Sequence, residues 1–355
     1  MHPIAHSKKP ALFGIPHEDS EHVLAHTETL WAMLRGSRIF ITGGTGFFGK
    51  WLLAAIAAAN DRLSAGVRAC VLCRNPDAFL ASQPAASVRN EFSWLRGDVR
   101  SFAAPPGSFP VVLHAATPAS EVLNLGQPAE MFDIIVAGTR RVLEFAGDRH
   151  VDALLLTSSG AVYGRQPSNL PLIPESLADG ADTGTTHSAY AAGKCTAEAL
   201  ATTSGLPVKI ARGFAFLGPH LPFDTHFAVG NFLRDALRGG PILVRSDGTP
   251  VRSYLHAADL AIWLLHLVCL GQPRRPYNVG SEQAVSLAEL AHAISLASGH
   301  VPVTILQQAR DELPERYVPD TRRAREELGL EVRIPLTDAL RRTLAWAQSQ
   351  AARQP

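Results

Sequence analysis

Apolar residues recur along this chain in two alternating rhythms. Arg38-Ile39-Phe40-Ile41-Thr42, Arg68 to Cys73, Val111 to His114, Asp152 to Thr157 and Val208 to Arg212 are short, nearly continuous apolar runs. That is the pattern of strands buried on both faces. Between them lie longer segments of helical period at Gly46 to Asn60, Glu130 to Phe145 and Ser188 to Thr203. Parallel strands need crossovers, and right-handed crossovers predict an α/β fold with a Rossmann-like doubly wound parallel sheet. Beyond Arg212 the pattern breaks into shorter pieces: Ala228 to Leu237, Ile242 to Val244, Ala257 to Cys269, Leu287 to Ser298 and Leu336 to Gln348. These predict a smaller C-terminal lobe. The division expected is an N-terminal extension and helix over 1–36, the sheet domain over 37–213 completed by 251–280, and the lobe from 214–250 and 281–350.

Two segments lack this rhythm. Residues 1 to about 19 are polar with Pro3, Pro10 and Pro16 and read as a loosely held extension; Ser20 would then cap a helix running to Leu34. His2, His6, His17, His22 and His26 share no single face, so a solvated segment is expected there and not a metal site. The stretch from Arg165 to Thr186 has no periodicity, and a loop of that length in a compact domain usually serves function.

Composition narrows the classes. With 46% apolar and 18% charged residues the chain is globular, and a net charge of +1 without a basic run argues against nucleic acid or an anionic membrane. The longest apolar stretch, Leu260 to Leu270, is too short to span a bilayer, and no apolar leader precedes it, so a cytoplasmic location is expected. Cys70 and Cys73 form a C-x-x-C inside a strand-like run, where residues three apart face opposite ways; they and Cys195 and Cys269 are read as reduced and structural.

Candidate chemistry gathers at three places. Thr42-Gly43-Gly44-Thr45-Gly46-Phe47-Phe48-Gly49 follows a strand and opens a helix. Gly43 allows the tight turn, Gly46 lets backbone approach a pyrophosphate and Gly49 lets the helix pack on the sheet. At the end of the second strand stands Cys73-Arg74-Asn75 where an acidic residue would select NAD. Arg74 could pair with a 2′-phosphate, which favours NADP over NAD. Finally, Tyr190 and Lys194 lie four apart on one helical face. The lysine, with a positive nicotinamide nearby, would lower the phenol toward the range of an acid–base catalyst.

These pieces together resemble the extended short-chain dehydrogenases/reductases of the NAD-dependent epimerase/dehydratase family, over about Ser37 to Trp346. Further matching pieces are Gly97-Asp98-Val99, Leu113-His114-Ala115-Ala116, Ser158 to Gly164, Arg252 to Leu260 and Tyr277 to Ser281. The resemblance implies a cofactor site of Gly43, Thr45, Gly46, Phe47, Phe48, Gly49, Arg74, Asp98, Val99, His114, Ala115, Ala116, Tyr190 and Lys194. Asp98 would accept from the adenine amine. Ser159 would hydrogen-bond the reacting sugar oxygen, Tyr190 would be the acid–base and Lys194 would hold the nicotinamide ribose. Asn231, Arg252 and Arg310 fall where family members bind the substrate's nucleotide and diphosphate, so the lobe would hold a nucleotide sugar.

The chain departs from the family in ways that bear on chemistry. The 4,6-dehydratases carry Asp-Glu after the catalytic Ser/Thr, and decarboxylating members keep a glutamate; here Gly160-Ala161 cannot transfer protons. Arg212-Gly213-Phe214-Ala215 loses an asparagine that helps bind a diphosphate, and Ile135 replaces the asparagine ahead of Gly138-Thr139. Epimerisation and 4-keto-sugar reduction both remain open, with a dehydratase of the same family or a catalytically silent NADP-binding regulatory protein as alternatives. Apolar residues on more than one face of the helices near Phe132 to Phe145 and Ser188 to Thr203 predict a homodimer, unless the lobe or the N-terminal helix covers them.

Overall fold

The computed structural model describes residues 12–117, 121–180, 188–223, 227–308 and 313–352. Its centre is a seven-stranded parallel sheet. In chain order the strands are β1 (Arg38–Thr42), β2 (Arg68–Cys73), β3 (Phe92–Arg96), β4 (Val111–His114), β5 (Ala153–Ser159), β6 (Val208–Gly213) and β7 (Pro276–Val279). They lie in the order β7-β6-β5-β4-β1-β2-β3, so the chain reverses direction of travel between β1 and β4, as in a doubly wound sheet.

Alternation along each strand sends side chains to two separate cores. Ile39 and Ile41 of β1, Ala69 and Val71 of β2 and Leu155 of β5 join one cluster with the helices Phe47–Leu63 and Ala257–Leu270. Phe40, Cys70, Leu72, Val112, Leu154 and Leu156 join the other, with the helices Pro128–Asp148 and Ala189–Thr203. The four cysteines are free thiols, and β2 turns Cys70 into the second of these cores.

The N-terminal segment differs from its expectation. Pro16, not Ser20, opens a helix at His17–Ala25, and a second helix covers Glu28–Met33. The break falls at buried Thr27, whose hydroxyl donates to the Val23 carbonyl and accepts from the Trp31 indole. Nor is the segment loosely held from residue 12 onward: Leu12, Phe13 and Ile15 are buried, and these helices complete the first core. Asp19 is fully buried and takes the Arg342 guanidinium at 2.6 Å, while the Trp346 indole donates to the Gly14 carbonyl at 3.1 Å. His22 is not solvated either; its Nε2 lies 3.0 Å from Asp259 Oδ1. No metal-ligand cluster occurs among the described residues. His2 and His6 lie outside them.

The N-terminal helices lie on the opposite side of the sheet from the helices Pro128–Asp148 and Ala189–Thr203, so they leave the expected dimer face uncovered. Part of the loop after Arg165 is ordered against the C-terminal lobe: Ile173 bridges Pro319, and a short 3-10 turn follows at Glu175–Gly180. Residues 181–187 lie outside the described residues. Among the described residues no helix is long and apolar enough to cross a membrane.

Candidate active site

The glycine turn comes first in the chain. Gly43 has φ +73°, and a Cβ there would sit 2.4 Å from the Ala115 carbonyl oxygen, so only glycine lets β1 and β4 end this close together. A Cβ at Gly49 would fall 2.3 Å from Gly44 Cα, which seats the helix on the turn. Gly46 is exposed, and the helix Phe47–Leu63 begins beyond it with no side-chain cap and no acidic residue in its first turn. Free N–H groups at an uncapped helix start suit a pyrophosphate. The turn therefore fits a dinucleotide on the chain's own geometry. Phe47 and Phe48 are half-buried against the first core, Phe48 edge-on to Phe216 with ring centroids 5.2 Å apart. Thr45 is half-exposed at the tip.

Around the turn the expected cofactor residues take different roles. Arg74 is exposed past the end of β2. Asp98 is already engaged: Arg100 donates to its two oxygens at 2.9 and 3.0 Å, and this bond, foremost, holds the Asp98 carboxyl below its usual range. Val99 is packed against Gly138, where a Cβ would meet it at 2.9 Å. Ala115 and Ala116 run beside Gly43, the Ala116 N–H donating to Thr42 Oγ1.

His114 is in the core, not on the cofactor surface. Thr139 Oγ1 spends its hydrogen on the Ile135 carbonyl, so it accepts from His114 Nε2, and Thr42 Oγ1, 2.7 Å from Nδ1, donates there. Burial, with Lys194 nearby, pushes its pKa down to about 3 and keeps the ring neutral.

The catalytic candidates do meet. Ser188 caps the helix Ala189–Thr203 by accepting from the Ala191 N–H at 3.1 Å. A Cβ at Gly193 would lie 3.1 Å from Ile135 Cδ1, so glycine lets this helix lie close to the helix Pro128–Asp148. That sets Lys194 inward, 3% exposed, with Nζ donating to the Thr157 carbonyl at 2.7 Å and to Thr117 Oγ1 at 2.8 Å. Its Nζ stands 5.8 Å from the Tyr190 ring centre, and Ser159, at the end of β5, is near enough to pull the Tyr190 phenol downward.

The electrostatics differ from expectation in the chain alone. Burial raises the Tyr190 phenol above its ordinary value, and Ser159 pulls it partly back. The downward influence expected from Lys194 is not the governing one, because burial has itself lowered Lys194 to about 8, with Glu198 opposing.

A buried polar chain supports this group. Glu198, one turn beyond Lys194, accepts from Ser158 Oγ and pairs with Arg212 at 2.6 Å. Arg212 also donates to the Tyr163 hydroxyl at 3.0 Å, which donates to Asn278 Oδ1 at 2.6 Å. Asn278 then donates to the carbonyls of Ile173 and Asp320. The segments Ser158 to Gly164 and Tyr277 to Ser281, separate in sequence, are thus two ends of one network.

On the lobe side, Arg252 is paired with Glu315 at 2.7 Å. Asn231, on the helix Ala228–Leu237, has its amide oxygen taken by Arg234 at 2.9 Å. Arg310 lies outside the described residues. Sequence reasoning missed Tyr317. Its ring lies over Phe214, centroids 4.6 Å apart, and its hydroxyl stands 2.5 Å from where a Cβ at Gly160 would be. No local signal marks it, since only the pairing of strand Arg316–Tyr317 with Val251–Arg252 carries it to the site.

The chain is similar to known proteins in sequence and in fold. UDP-glucuronic acid decarboxylase 5 of Arabidopsis thaliana is 30% identical over 317 residues, 85% of this chain and 87% of that protein. Among solved structures, dTDP-glucose 4,6-dehydratase from Streptomyces venezuelae with NAD bound superposes with TM-score 0.76 at 23% identity, covering 89% of this chain and 98% of that one. UDP-glucose 4-epimerase from Thermotoga maritima with UDP-glucose gives 0.72 at 20% identity, covering 88% and 99%. Residues 39–280 match the NAD dependent epimerase/dehydratase family, and the chain belongs to that family.

Proposed function

We propose that this chain is an NAD(P)-dependent enzyme acting on a nucleotide sugar, either an epimerase or a 4-keto-sugar reductase. The observation that carries this reading is the gathering of Ser159, Tyr190 and Lys194 in one place beside a position, Gly160, that has no side chain. A bound nicotinamide supplies the hydride donor or acceptor. Tyr190 exchanges a proton with the reacting hydroxyl oxygen, Ser159 orients that oxygen, and Lys194 stays fixed on the Thr157 carbonyl with its charge beneath the phenol ring. Removing carbon dioxide or water from the sugar needs a further proton-transferring group after Ser159. Gly160-Ala161 provides none, which weighs against the activity in the names of the relatives by sequence.

The uncapped N–H groups after Gly46 would hold the pyrophosphate, and exposed Arg74 favours NADP over NAD. Residues 214–250 and 281–350 would form the substrate lobe, with Arg252 exchanging Glu315 for a diphosphate. The exposed Val122, Leu125 and Phe132 beside the uncovered helices fit a two-fold dimer.

The test is mass spectrometry of the purified protein for retained cofactor, followed by NMR of products from UDP-glucose, UDP-glucuronate and a 4-keto nucleotide sugar. Inverted or reduced sugar is expected. Carbon dioxide from UDP-glucuronate would overturn the reading.

A further inference from the structure

The strand next to Arg74 ends in a second arginine. Parallel register sets Cys73 of β2 against Arg96 of β3, and the Gly97 N–H extends the ladder by donating to the Cys73 carbonyl at 3.1 Å. Arg96 is therefore the last residue of β3, and Arg74 is the first residue beyond β2. β3 is the edge of the sheet, and the Arg96 head turns from it toward β2. Its Nη1 donates to the Arg74 carbonyl at 3.4 Å and its Nη2 to Asp77 Oδ2 at 2.6 Å. Asp98, the next carboxylate after β3, is taken by Arg100. Two arginines thus stand at the carboxyl ends of neighbouring parallel strands, on the edge of the sheet where the glycine turn follows β1. That edge is where a dinucleotide lies across a doubly wound sheet.

The pair that Arg96 makes is exchangeable. Its side chain is 55% exposed and that of Asp77 84%, and an ion pair so open to water contributes little. A phosphate monoester brings roughly −1.5 to −2 of charge and three acceptor oxygens, against the single charge of Asp77. The guanidinium fork matches either one.

We propose that Arg96 is a second ligand of the cofactor's 2′-phosphate, taken beside Arg74 in exchange for Asp77. This rests on the reading of Arg74 as the residue that favours NADP. Arg96 acts on the phosphate with its charge and on Arg74 by holding the Arg74 carbonyl. Asp77 sharpens the choice. A neutral ribose hydroxyl cannot draw Arg96 from a carboxylate, whereas a phosphate can.

The test needs neither nicotinamide nor sugar. The full-length protein is titrated calorimetrically with 2′,5′-ADP and with 5′-AMP, which differ only in the 2′-phosphate, and the wild type should prefer the first. Arg96→Ala should weaken 2′,5′-ADP about tenfold and leave 5′-AMP unchanged, since a charge-assisted bond to phosphate is lost. Asp77→Asn should tighten 2′,5′-ADP about threefold, and only while Arg96 is present. Equal weakening of both probes in Arg96→Ala would make Arg96 a prop for the Arg74 backbone and overturn the proposal. An unchanged ratio, or an Asp77→Asn gain that persists without Arg96, would overturn it as well. Arg74→Ala separates the two readings. A preference lost there but kept in Arg96→Ala sinks the role of Arg96 alone; a wild type with no preference sinks the NADP reading and this one with it.

Discussion

Lys194 donates to the carbonyl of Thr157, two residues before Ser159 on β5, at 2.7 Å. The helix that carries the lysine and tyrosine is thereby pinned to the strand that carries the serine. Substituting Lys194→Met should remove that pin as well as the charge below Tyr190. We expect turnover to fall by at least the roughly 10²-fold typical of a lost acid–base partner, with NAD+ affinity weakened too. Isothermal titration and initial rates check both, and an enzyme impaired in neither would remove Lys194 from the mechanism.

Tyr190→Phe should abolish proton transfer and leave fold and most cofactor affinity in place, a loss of about 10² to 10⁴ in kcat. Ser159→Ala should cost less, since Tyr190 keeps its proton. If the serine variant were much the worse of the two, their roles would have to be exchanged.

Arg74→Asp should shift cofactor preference from NADP toward NAD, because it replaces a phosphate partner by a ribose partner and adds repulsion. Arg74 is exposed, so the fold should be indifferent. The ratio of the two dissociation constants decides it; an unchanged ratio leaves Arg74 a surface residue.

Glu198→Ala should destabilise the protein by about 3 to 5 kcal/mol, since it strands the buried Arg212 guanidinium and frees Ser158 Oγ together. Denaturant melts would show it. A loss below 1 kcal/mol would mean that the network reorganises around Arg212.

Acid should weaken the fold in a defined window. Burial above all lowers His114 and His256 to about 3 and His220 to about 4. Unfolded imidazoles take protons near pH 6.5, so between about 6.5 and 4 the unfolded chain binds more protons and stability falls with falling pH. Denaturation midpoints at pH 7, 6 and 5 should descend. A flat series would mean these three rings are not held neutral.

Most strands were legible because burial on both faces writes them as unbroken apolar runs. β3 was not: Phe92-Ser93-Trp94-Leu95-Arg96 is an edge strand with Ser93 and Arg96 exposed, and its apolar signal is diluted. Ser159, Tyr190 and Lys194 were legible since each sits in a contiguous motif placed by one strand end or one helical turn. The fate of His114 was not, because it depends on Thr42 and Thr139 from two other elements. Tyr317 was invisible for the same reason, its position being set by strand pairing in the lobe. The N-terminal helices were misjudged because the partners of Asp19 and His22, Arg342 and Asp259, lie far along the chain.

That last distance has a consequence for how the molecule is made. Asp19 waits for an arginine 323 positions later. At roughly 5 to 20 residues per second, a ribosome needs tens of seconds to supply it. During that interval the helix His17–Ala25 can pack on the helix Phe47–Leu63, but Asp19 is without the Arg342 guanidinium. The sheet can assemble strand by strand as it emerges, but the cover over it gains its buried ion pair only once the helix Leu336–Ala351 has been made. The segment that carries Asp19 is thus made long before the partner that neutralises it.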